Sequence, residues 1–244
     1  MYTAKDLDEL MRIIIARGMQ IEPEGIDHKH NEVVPGSPLS PIKLHLCTPD
    51  LRTEARLTED DMQKIVQMWW QYVEYHRLHI PAIGGIPRVG ERFAFMLQKY
   101  VREETGRHIP VIQAEKIAKA GGGREIGAVI PNKDYPSGDL WLIDDVVNWG
   151  RSKCEALLRY TQAGYRVTDN LVVVDYGVNA NQLLDRLDSR LHSLLQLDSI
   201  LLLGAQEKTM AMDIIAQTKA YLAASRLANA ELPLESGRFV NKIA

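Results

Sequence analysis

The segment Leu140–Ser152 constrains the fold of this chain more than any other, and it reads LWLIDDVVNWGRS. Its apolar start predicts a buried strand that ends at two adjacent acids, Asp144 and Asp145. A turn containing Gly150 follows, and the apolar spacing then predicts a helix over Ser152–Ala163. Together these features indicate a strand that passes into a helix through a tight, glycine-containing turn.

A second apolar run, Leu171–Val174, follows this helix and ends in Asp175. Strand, helix and strand in this order form a βαβ unit, whose two strands lie parallel in one sheet. The remaining helices are predicted over Ala4–Arg17, from a cap at Thr58, and over Glu91–Glu104, Asn181–Ser189 and Glu207–Leu227. The remaining strands are predicted over Ile42–Leu46, Ile80–Pro87, Pro110–Ala114 and Leu191–Leu195. We therefore expect an α/β fold with a parallel sheet flanked by helices.

Three segments carry no helical or strand period. Glu22–Pro41 is rich in proline and glycine and is predicted to be a loop. Lys116–Arg124 is basic and glycine-rich, which is typical of a solvated loop on a hairpin. Glu231–Ala244 shows no clear pattern and is expected to be loosely held.

The turn after the acid pair has the chemistry of an anion site. In open parallel sheets, ligands bind at the carboxyl ends of the strands. The first turn of the next helix offers free N–H groups and a partial positive charge, which suits a phosphate. Gly150 allows close approach, Ser152 can donate a hydroxyl, and the two acids suit ribose hydroxyls or a hydrated magnesium ion. The alternative is that the acids only cap the helix and the glycine only makes a turn.

Composition narrows the classes of partner. The chain has 244 residues, a formal net charge of -3 and 25% charged residues, which argues against a broad basic face for nucleic acid but allows a small anionic ligand. Cys47 and Cys154 show no metal-ligand spacing, and Cys154 is expected to be a buried, reduced thiol. The sequence shows no signal peptide and no apolar run long enough to span a membrane, so we expect a cytoplasmic protein.

Segment Leu140–Ser152 resembles the phosphoribosyl-diphosphate motif of the type I phosphoribosyltransferases. Other segments resemble the orotate branch of that family in order and spacing. Ser40-Pro41 resembles the N-terminal hood of that branch, and Ile83–Ala94 resembles its pyrophosphate loop. Lys116 and Lys119 with the following glycines resemble its mobile loop, and Leu191–Leu194 resembles its C-terminal segment. The resemblance covers roughly residues 5 to 225. It implies a single domain, with an N-terminal helix and hood over about 1–60, a core over about 61–205 and a C-terminal helix and tail over about 206–244.

The resemblance also implies a reaction. In the family, a nitrogen of a pyrimidine base, orotate in the branch resembled, displaces pyrophosphate from carbon 1 of phosphoribosyl diphosphate with the help of Mg²⁺. Lys116 and Lys119 are the implied catalytic residues, since mobile ammonium groups can follow the departing pyrophosphate. Residues Gly121, Gly122 and Gly123 would let their loop open and close. The family's loop lysines reach into a neighbouring subunit, so a homodimer is implied.

The implied site residues fall into three groups. Those for phosphoribosyl diphosphate are Arg88, Asp144, Asp145, Asn148, Trp149, Gly150, Arg151 and Ser152. Arg88 can equally be a surface arginine at the entry of a helix. Tyr176 occupies the base-binding place. Asp144 and Asp145 would hold Mg²⁺ only indirectly, through ribose or water.

Several residues depart from the family pattern. Glu115 stands where an arginine is usual, Gly121 where a histidine is usual, and Trp149 in a turn that usually carries small hydroxyl residues. Tyr176 replaces the arginine that holds the orotate carboxylate, and Pro35 stands where the hood lysine is expected. A second hypothesis therefore stays open: a protein of the same fold that binds phosphoribosyl diphosphate or a nucleotide without catalysis, or that uses another base.

Overall fold

The structure, a computed structural model, describes residues 2–26, 39–44, 46, 57–87, 89–118 and 124–230. The expectations for Pro35, Cys47, Arg88, Lys119, Gly121–Gly123 and Glu231–Ala244 lie outside these residues. The helices are α1 Ala4–Ile13, α2 Glu59–Tyr75, α3 Val89–Thr105, α4 Arg151–Gln162, α5 Ala180–Asp185, α6 Leu197–Gln206 and α7 Met212–Ala230. The strands are β1 Met19–Ile26, β2 Ser40–Leu44, β3 Ile83–Gly85, β4 Val111–Ala118, β5 Arg124–Ile130, β6 Gly138–Val147, β7 Tyr165–Asp175 and β8 Arg190–Gln196.

The main sheet has six strands in the order β5-β4-β3-β6-β7-β8. Neighbouring strands from β4 to β8 are parallel, and β6, α4 and β7 form the predicted βαβ unit. The predicted parallel sheet flanked by helices is confirmed, and one edge strand, β5, runs antiparallel to β4. The glycine-rich composition just before β5 concealed this strand in the sequence. The α/β fold with flanking helices is confirmed, and β1 and β2 form a separate antiparallel pair.

Helices cover both faces of the main sheet. On one face, the side chain of Trp69 on α2 packs edge-on against Phe93 on α3, with ring centroids 4.9 Å apart. The indole N–H of Trp69 donates to the carbonyl of Val172 on β7 at 3.2 Å. The other face is covered by α4, where Tyr160 donates to the carbonyl of Ile112 at 3.0 Å. Burial of such aromatic side chains is the main driving force for holding the layers together.

Cys154 lies on the buried face of α4, as the sequence predicted. Its side chain is buried, and burial raises the pKa of its thiol to about 12. A thiol with so high a pKa stays protonated at neutral pH and is a poor nucleophile. Cys154 therefore packs as a small apolar residue.

Three predicted boundaries were wrong, each for a physical reason. The segment Glu22–Pro41 was expected to be a loop, yet β1 covers its start, because a two-stranded sheet tolerates proline on an edge. The first helix ends early, and a π-helical turn over Ile14–Gly18 leads into β1. The helix predicted over Glu207–Leu227 begins at Met212, and the apolar run before it forms α6. Within the described residues, no helix has both the length and the apolar character needed to cross a bilayer.

A charged network centred on the buried carboxylate of Asp169 lies between the sheet and α2. Asp169 on β7 is 1% exposed and accepts from Arg190 Nε and from His192 Nε2, each at 2.8 Å. The other ring nitrogen of His192 lies 3.0 Å from the hydroxyl of Tyr72, and Trp141 stacks on the imidazole. Burial alone would raise the pKa of Asp169, but hydrogen bonds from His192, Thr168 and Arg190 outweigh it and lower the pKa. The Asp169 carboxylate is therefore a structural anion that the fold keeps charged.

We expect Asp169→Asn to lower the free energy of unfolding at pH 7 by about 1–3 kcal/mol, because charged hydrogen bonds in the interior are lost. The folded-state pKa of Asp169 is lowered, so its contribution is present above the unfolded carboxyl pKa of about 3.9 and is lost as pH falls further. The two proteins should therefore approach equal stability in acid. Urea unfolding at pH 7 and at a pH below the folded-state pKa of Asp169 measures both effects.

The control for this variant is Asp198→Asn, which removes a carboxylate from an exposed ion pair with Arg226. Its expected cost is below about 1 kcal/mol, since exposed pairs contribute little. Equal stability of Asp169→Asn and wild type at pH 7 would show that the buried network does not stabilise the fold.

Candidate functional site

The carboxyl ends of β3, β6 and β7 meet at one edge of the sheet, where α3 and α4 begin. Gly85 at the end of β3 pairs with Ile143 on β6, one residue before the acid pair. A Cβ on Gly90 would lie 2.0 Å from the carbonyl oxygen of Ile143, so the first turn of α3 is pressed against β6. Only glycine permits this approach. The predicted pyrophosphate loop is thereby placed beside the predicted ribose and phosphate segment.

The acid pair ends the buried part of β6. The carboxylate of Asp144 is buried and forms an ion pair with the ammonium group of Lys153 on α4. Lys153 is 2% exposed and also donates to the carbonyl of Val146. Asp145 is half-buried, and its Oδ1 accepts from the backbone N–H of Val146 at 2.8 Å. The two neighbouring carboxyl groups thus have different surroundings.

The surroundings of Asp145 raise its pKa to about 8. Burial is the main cause, the negative charge of Asp144 adds to it, and the ammonium of Lys153 opposes it. Two adjacent carboxylates resist ionising together, so one of them holds its proton more tightly. At neutral pH Asp145 can therefore donate a hydrogen bond as well as accept one, as a site for sugar hydroxyls requires.

The turn after β6 presents backbone N–H groups at the start of α4. Gly150 has a left-handed backbone, with φ of 80° and ψ of 2°, and no side chain caps the helix. Within the described part of the chain, no hydrogen bond involves the backbone N–H of Gly150 or Ser152, and the Ser152 side chain is exposed. The side-chain amide of Asn148 donates to the hydroxyl of Tyr221 on α7 at 2.8 Å. This arrangement can receive an anion through amides that point out of the helix.

Trp149 and Arg151 flank Gly150 but differ in burial. Trp149 is 2% exposed and belongs to the core cluster that also contains Tyr176 and Val178. Its indole therefore packs into the core of the protein. The side chain of Arg151 is half-buried. The role of both residues in binding phosphoribosyl diphosphate stays a prediction.

Tyr176 connects the end of β7 to the N-terminal strand pair. Its backbone N–H donates to the carbonyl of Val147 at 2.9 Å, which places it next to the turn. Its hydroxyl accepts from the backbone N–H of Leu44 on β2 at 3.0 Å. Tyr176 is 3% exposed, and burial raises the pKa of its hydroxyl. Its predicted contact with the base remains untested, but the geometry gives the residue a structural partner.

We expect Tyr176→Phe to lower the free energy of unfolding by about 1–2 kcal/mol, because the buried N–H of Leu44 loses its acceptor. Chemical denaturation measures the loss. The matched control is Tyr75→Phe on α2, whose side chain is 61% exposed and whose hydroxyl removal should leave stability unchanged. If Tyr176→Phe is as stable as wild type, the hydroxyl does not hold β2 in place.

Of the two predicted catalytic lysines, only the backbone of Lys116 is among the described residues. Lys116 belongs to β4, which ends at Ala118 and is adjacent to β3. The strand is longer than predicted, because the basic composition hid its pairing with β5. Lys119 and Arg88 lie outside the described residues, so their positions relative to the acid pair stay predictions.

Sequence reasoning missed Lys153. A lysine in the first turn of a helix is usually solvated, so it attracted no interpretation. The signal was its spacing, since Lys153, Leu157 and Tyr160 lie on one face of α4 and all three are buried. A lysine on the buried face of a helix needs an anionic partner, and Asp144 supplies it.

No protein-family model matches the chain. Over 164 residues it is 26% identical to bovine uridine 5'-monophosphate synthase, which covers 66% of this chain and 32% of that protein. Over 123 residues it is 32% identical to an orotate phosphoribosyltransferase of Aeropyrum pernix, which covers 49% of this chain and 56% of that enzyme. The matches thus span only about a third to just over half of these two relatives.

Solved structures support the same fold. The structure of UMP synthase from Leishmania donovani matches with a TM-score of 0.66 and 21% identity, over 88% of this chain and 42% of that chain. The crystal structure of the Aeropyrum pernix orotate phosphoribosyltransferase matches with a TM-score of 0.55 and 21% identity, over 84% of this chain and 99% of that chain. The chain therefore has the fold of the type I phosphoribosyltransferases, and among them it resembles orotate phosphoribosyltransferase.

Proposed function

We propose that this protein transfers the phosphoribosyl group of phosphoribosyl diphosphate to a pyrimidine base, with orotate as the first candidate. A ring nitrogen of the base forms the new bond to carbon 1 of the sugar, and the bond from carbon 1 to the pyrophosphate oxygen breaks. The bonding electrons leave with pyrophosphate, the nitrogen lone pair forms the new bond, and the proton on that nitrogen passes to water or to the departing pyrophosphate. The chemistry needs positioning and charge stabilisation rather than a protein nucleophile.

The observation that carries this proposal is the pairing of two carboxyl groups with an open helix N-terminus at one sheet edge. The amides of Gly150 and Ser152 suit the 5′-phosphate, and Asp144 and Asp145 suit the ribose hydroxyls. Asn148, Trp149 and Arg151 complete the proposed turn, and Arg88 is proposed to contact the pyrophosphate. The site lies at the carboxyl ends of the strands, where open α/β sheets bind their ligands.

The acid pair fits Mg²⁺ in an indirect role. Among the described residues, no group of three or more histidine, cysteine or acidic side chains could enclose a metal ion. One oxygen of Asp144 is engaged by Lys153, whereas Asp145 is half-buried and can reach bound water or sugar hydroxyls. Mg²⁺ commonly binds through substrate phosphates and water, and there it would neutralise negative charge on the departing pyrophosphate.

Lys116 and Lys119 are proposed to bind pyrophosphate as it leaves. We expect Lys119→Ala to lower kcat by about 10- to 100-fold while the KM for phosphoribosyl diphosphate changes little, because a cation on a developing charge acts mainly in the transition state. Steady-state pyrophosphate release measures both constants. Lys133→Ala, at an exposed turn position after β5, is the control and should behave as wild type. Parallel losses in binding and turnover would argue against a leaving-group role.

Tyr176 favours a second candidate within the same fold. An arginine at this place would hold the carboxylate of orotate, whereas Tyr176 is buried and engaged with Leu44. An anionic base without a counter-charge in a partly dry pocket is costly to bind. The second candidate is therefore a protein that accepts a neutral base, or one that binds phosphoribosyl diphosphate without transferring it.

The experiment that separates these candidates combines the protein, phosphoribosyl diphosphate and Mg²⁺ with a panel of bases. Pyrophosphate release with orotate supports the first candidate, and release with a neutral base alone supports altered specificity. Saturable binding without release supports a binding protein. No binding of phosphoribosyl diphosphate under any condition would contradict the proposed function.

The same proposal places the protein in the cytoplasm as a homodimer that acts on small substrates, with neither nucleic acid nor membranes as partners.

A further inference from the structure

Lys153 joins the two ends of the proposed phosphate turn. Its Cα lies in the first turn of α4, while its ammonium group contacts Asp144 and the carbonyl of Val146 near the end of β6. The turn that carries Gly150 lies between these contacts in sequence. One side chain thus connects the acid pair to the helix start that presents the phosphate-facing amides.

Stability alone does not account for this contact. Lys153 is 2% exposed, and the cost of removing its ammonium group from water is of the same order as the attraction to a carboxylate that offsets it. A well-packed apolar side chain at the same place would stabilise the fold as well or better. Leu157 and Tyr160 on the same face of α4 show that apolar side chains suit this environment.

We propose that Lys153 is a positioning residue of the sugar-phosphate site, acting through Asp144 to hold the acid pair in register with the amides of the turn. This inference rests on the proposed function, since it assumes that the pair binds ribose hydroxyls. The ammonium group of Lys153 forms an ion pair with Asp144 and donates to the carbonyl of Val146, so it holds both groups in place. Because these groups are already held in place before the ligand binds, binding has a smaller entropic cost than it would have without Lys153. The affinity for the ligand is therefore higher.

The test compares Lys153→Met with wild type by calorimetric titration of ribose 5-phosphate and phosphoribosyl diphosphate. Methionine keeps the length of the side chain and removes its charge. We expect the Kd of both ligands to rise by about tenfold or more, while kcat at saturating phosphoribosyl diphosphate stays within about threefold. Lys99→Met on α3, whose side chain is 76% exposed, removes the same charge elsewhere and should bind as wild type.

A double-mutant cycle shows whether Lys153 acts through Asp144. If it does, Lys153→Met combined with Asp144→Asn should bind ribose 5-phosphate no more weakly than Asp144→Asn alone. The double variant also removes both charges, so it remains measurable if a single variant fails to fold. Additive losses in the cycle would overturn the inference.

Two further outcomes are decisive. A Lys153→Met protein with a lowered Tm but an unchanged Kd would show a purely structural role and overturn the inference, leaving the proposed function intact. Wild-type protein that binds neither ribose 5-phosphate nor phosphoribosyl diphosphate would overturn the proposed function and this inference with it. Weaker ligand binding by Lys153→Met together with non-additivity in the cycle would support the inference.

Discussion

Gly150→Asp should weaken the binding of phosphoribosyl diphosphate by about 100-fold or more, which corresponds to roughly 3 kcal/mol. Gly150 has a φ of 80°, a conformation in which a side chain is strained. The new carboxylate would also stand at the helix start proposed to hold the 5′-phosphate, and like charges there repel. Isothermal titration with phosphoribosyl diphosphate measures the loss.

Gly106→Asp is the matched control for this substitution. Gly106 also has a left-handed backbone, with a φ of 71°, and a Cβ there would meet no atom within 4 Å. It follows α3 and precedes β4, so it lies away from the carboxyl ends of the strands. The control therefore carries the backbone strain without the charge at the turn. Equal affinities of the two variants for phosphoribosyl diphosphate would contradict the proposal that the turn binds the 5′-phosphate.

Asp145→Asn should lower kcat/KM for phosphoribosyl diphosphate by up to about 10-fold, because a hydrogen bond between a neutral carboxyl group and a sugar hydroxyl contributes about 0.5–1.5 kcal/mol. The fold should tolerate the change, since an amide oxygen can still accept from the N–H of Val146. Asp139→Asn, at the start of the same strand in an exposed ion pair, should leave activity unchanged. Full activity of Asp145→Asn would exclude the carboxyl group from the site.

The same variant has a pH signature in stability. The folded-state pKa of Asp145 is raised to about 8, so the folded protein binds a proton that the unfolded chain releases near pH 4. Stability of the wild type therefore declines as pH rises between these two values. Asp145→Asn should lack this part of the decline, and its Tm relative to wild type should be higher at pH 8 than at pH 5. A constant difference in Tm between the two pH values would contradict the raised pKa.

Much of this site could be predicted from local sequence, because its parts are contiguous. Strand, acid pair, glycine turn and helix follow one another in Leu140–Ser152, and the structure places them in that order. The sequence also placed Cys154 in the core and Thr58 as a helix cap. Each of these features depends on short-range periodicity or on the chemistry of a single residue.

The remaining features depend on partners distant in sequence. The pairing of Tyr176 with Leu44 joins residues 132 positions apart, and nothing around either residue indicates it. The edge strand β5 forms through hydrogen bonds to β4. This pairing outweighs a local composition that is typical of a loop. The ion pair of Lys153 and Asp144 forms because the turn brings the start of α4 close to the end of β6. Its charge alone suggests that Lys153 is exposed, because the sequence does not show this approach.

The central claim is that the turn after the acid pair holds a sugar phosphate through its backbone amides. Its most direct test is a ¹⁵N–¹H correlation spectrum of the protein titrated with ribose 5-phosphate. The amide signals of Gly150 and Ser152 should shift saturably, with one Kd, while that of Gly106 stays in place. Saturable binding that shifts other amides and leaves Gly150 and Ser152 unmoved would contradict the account.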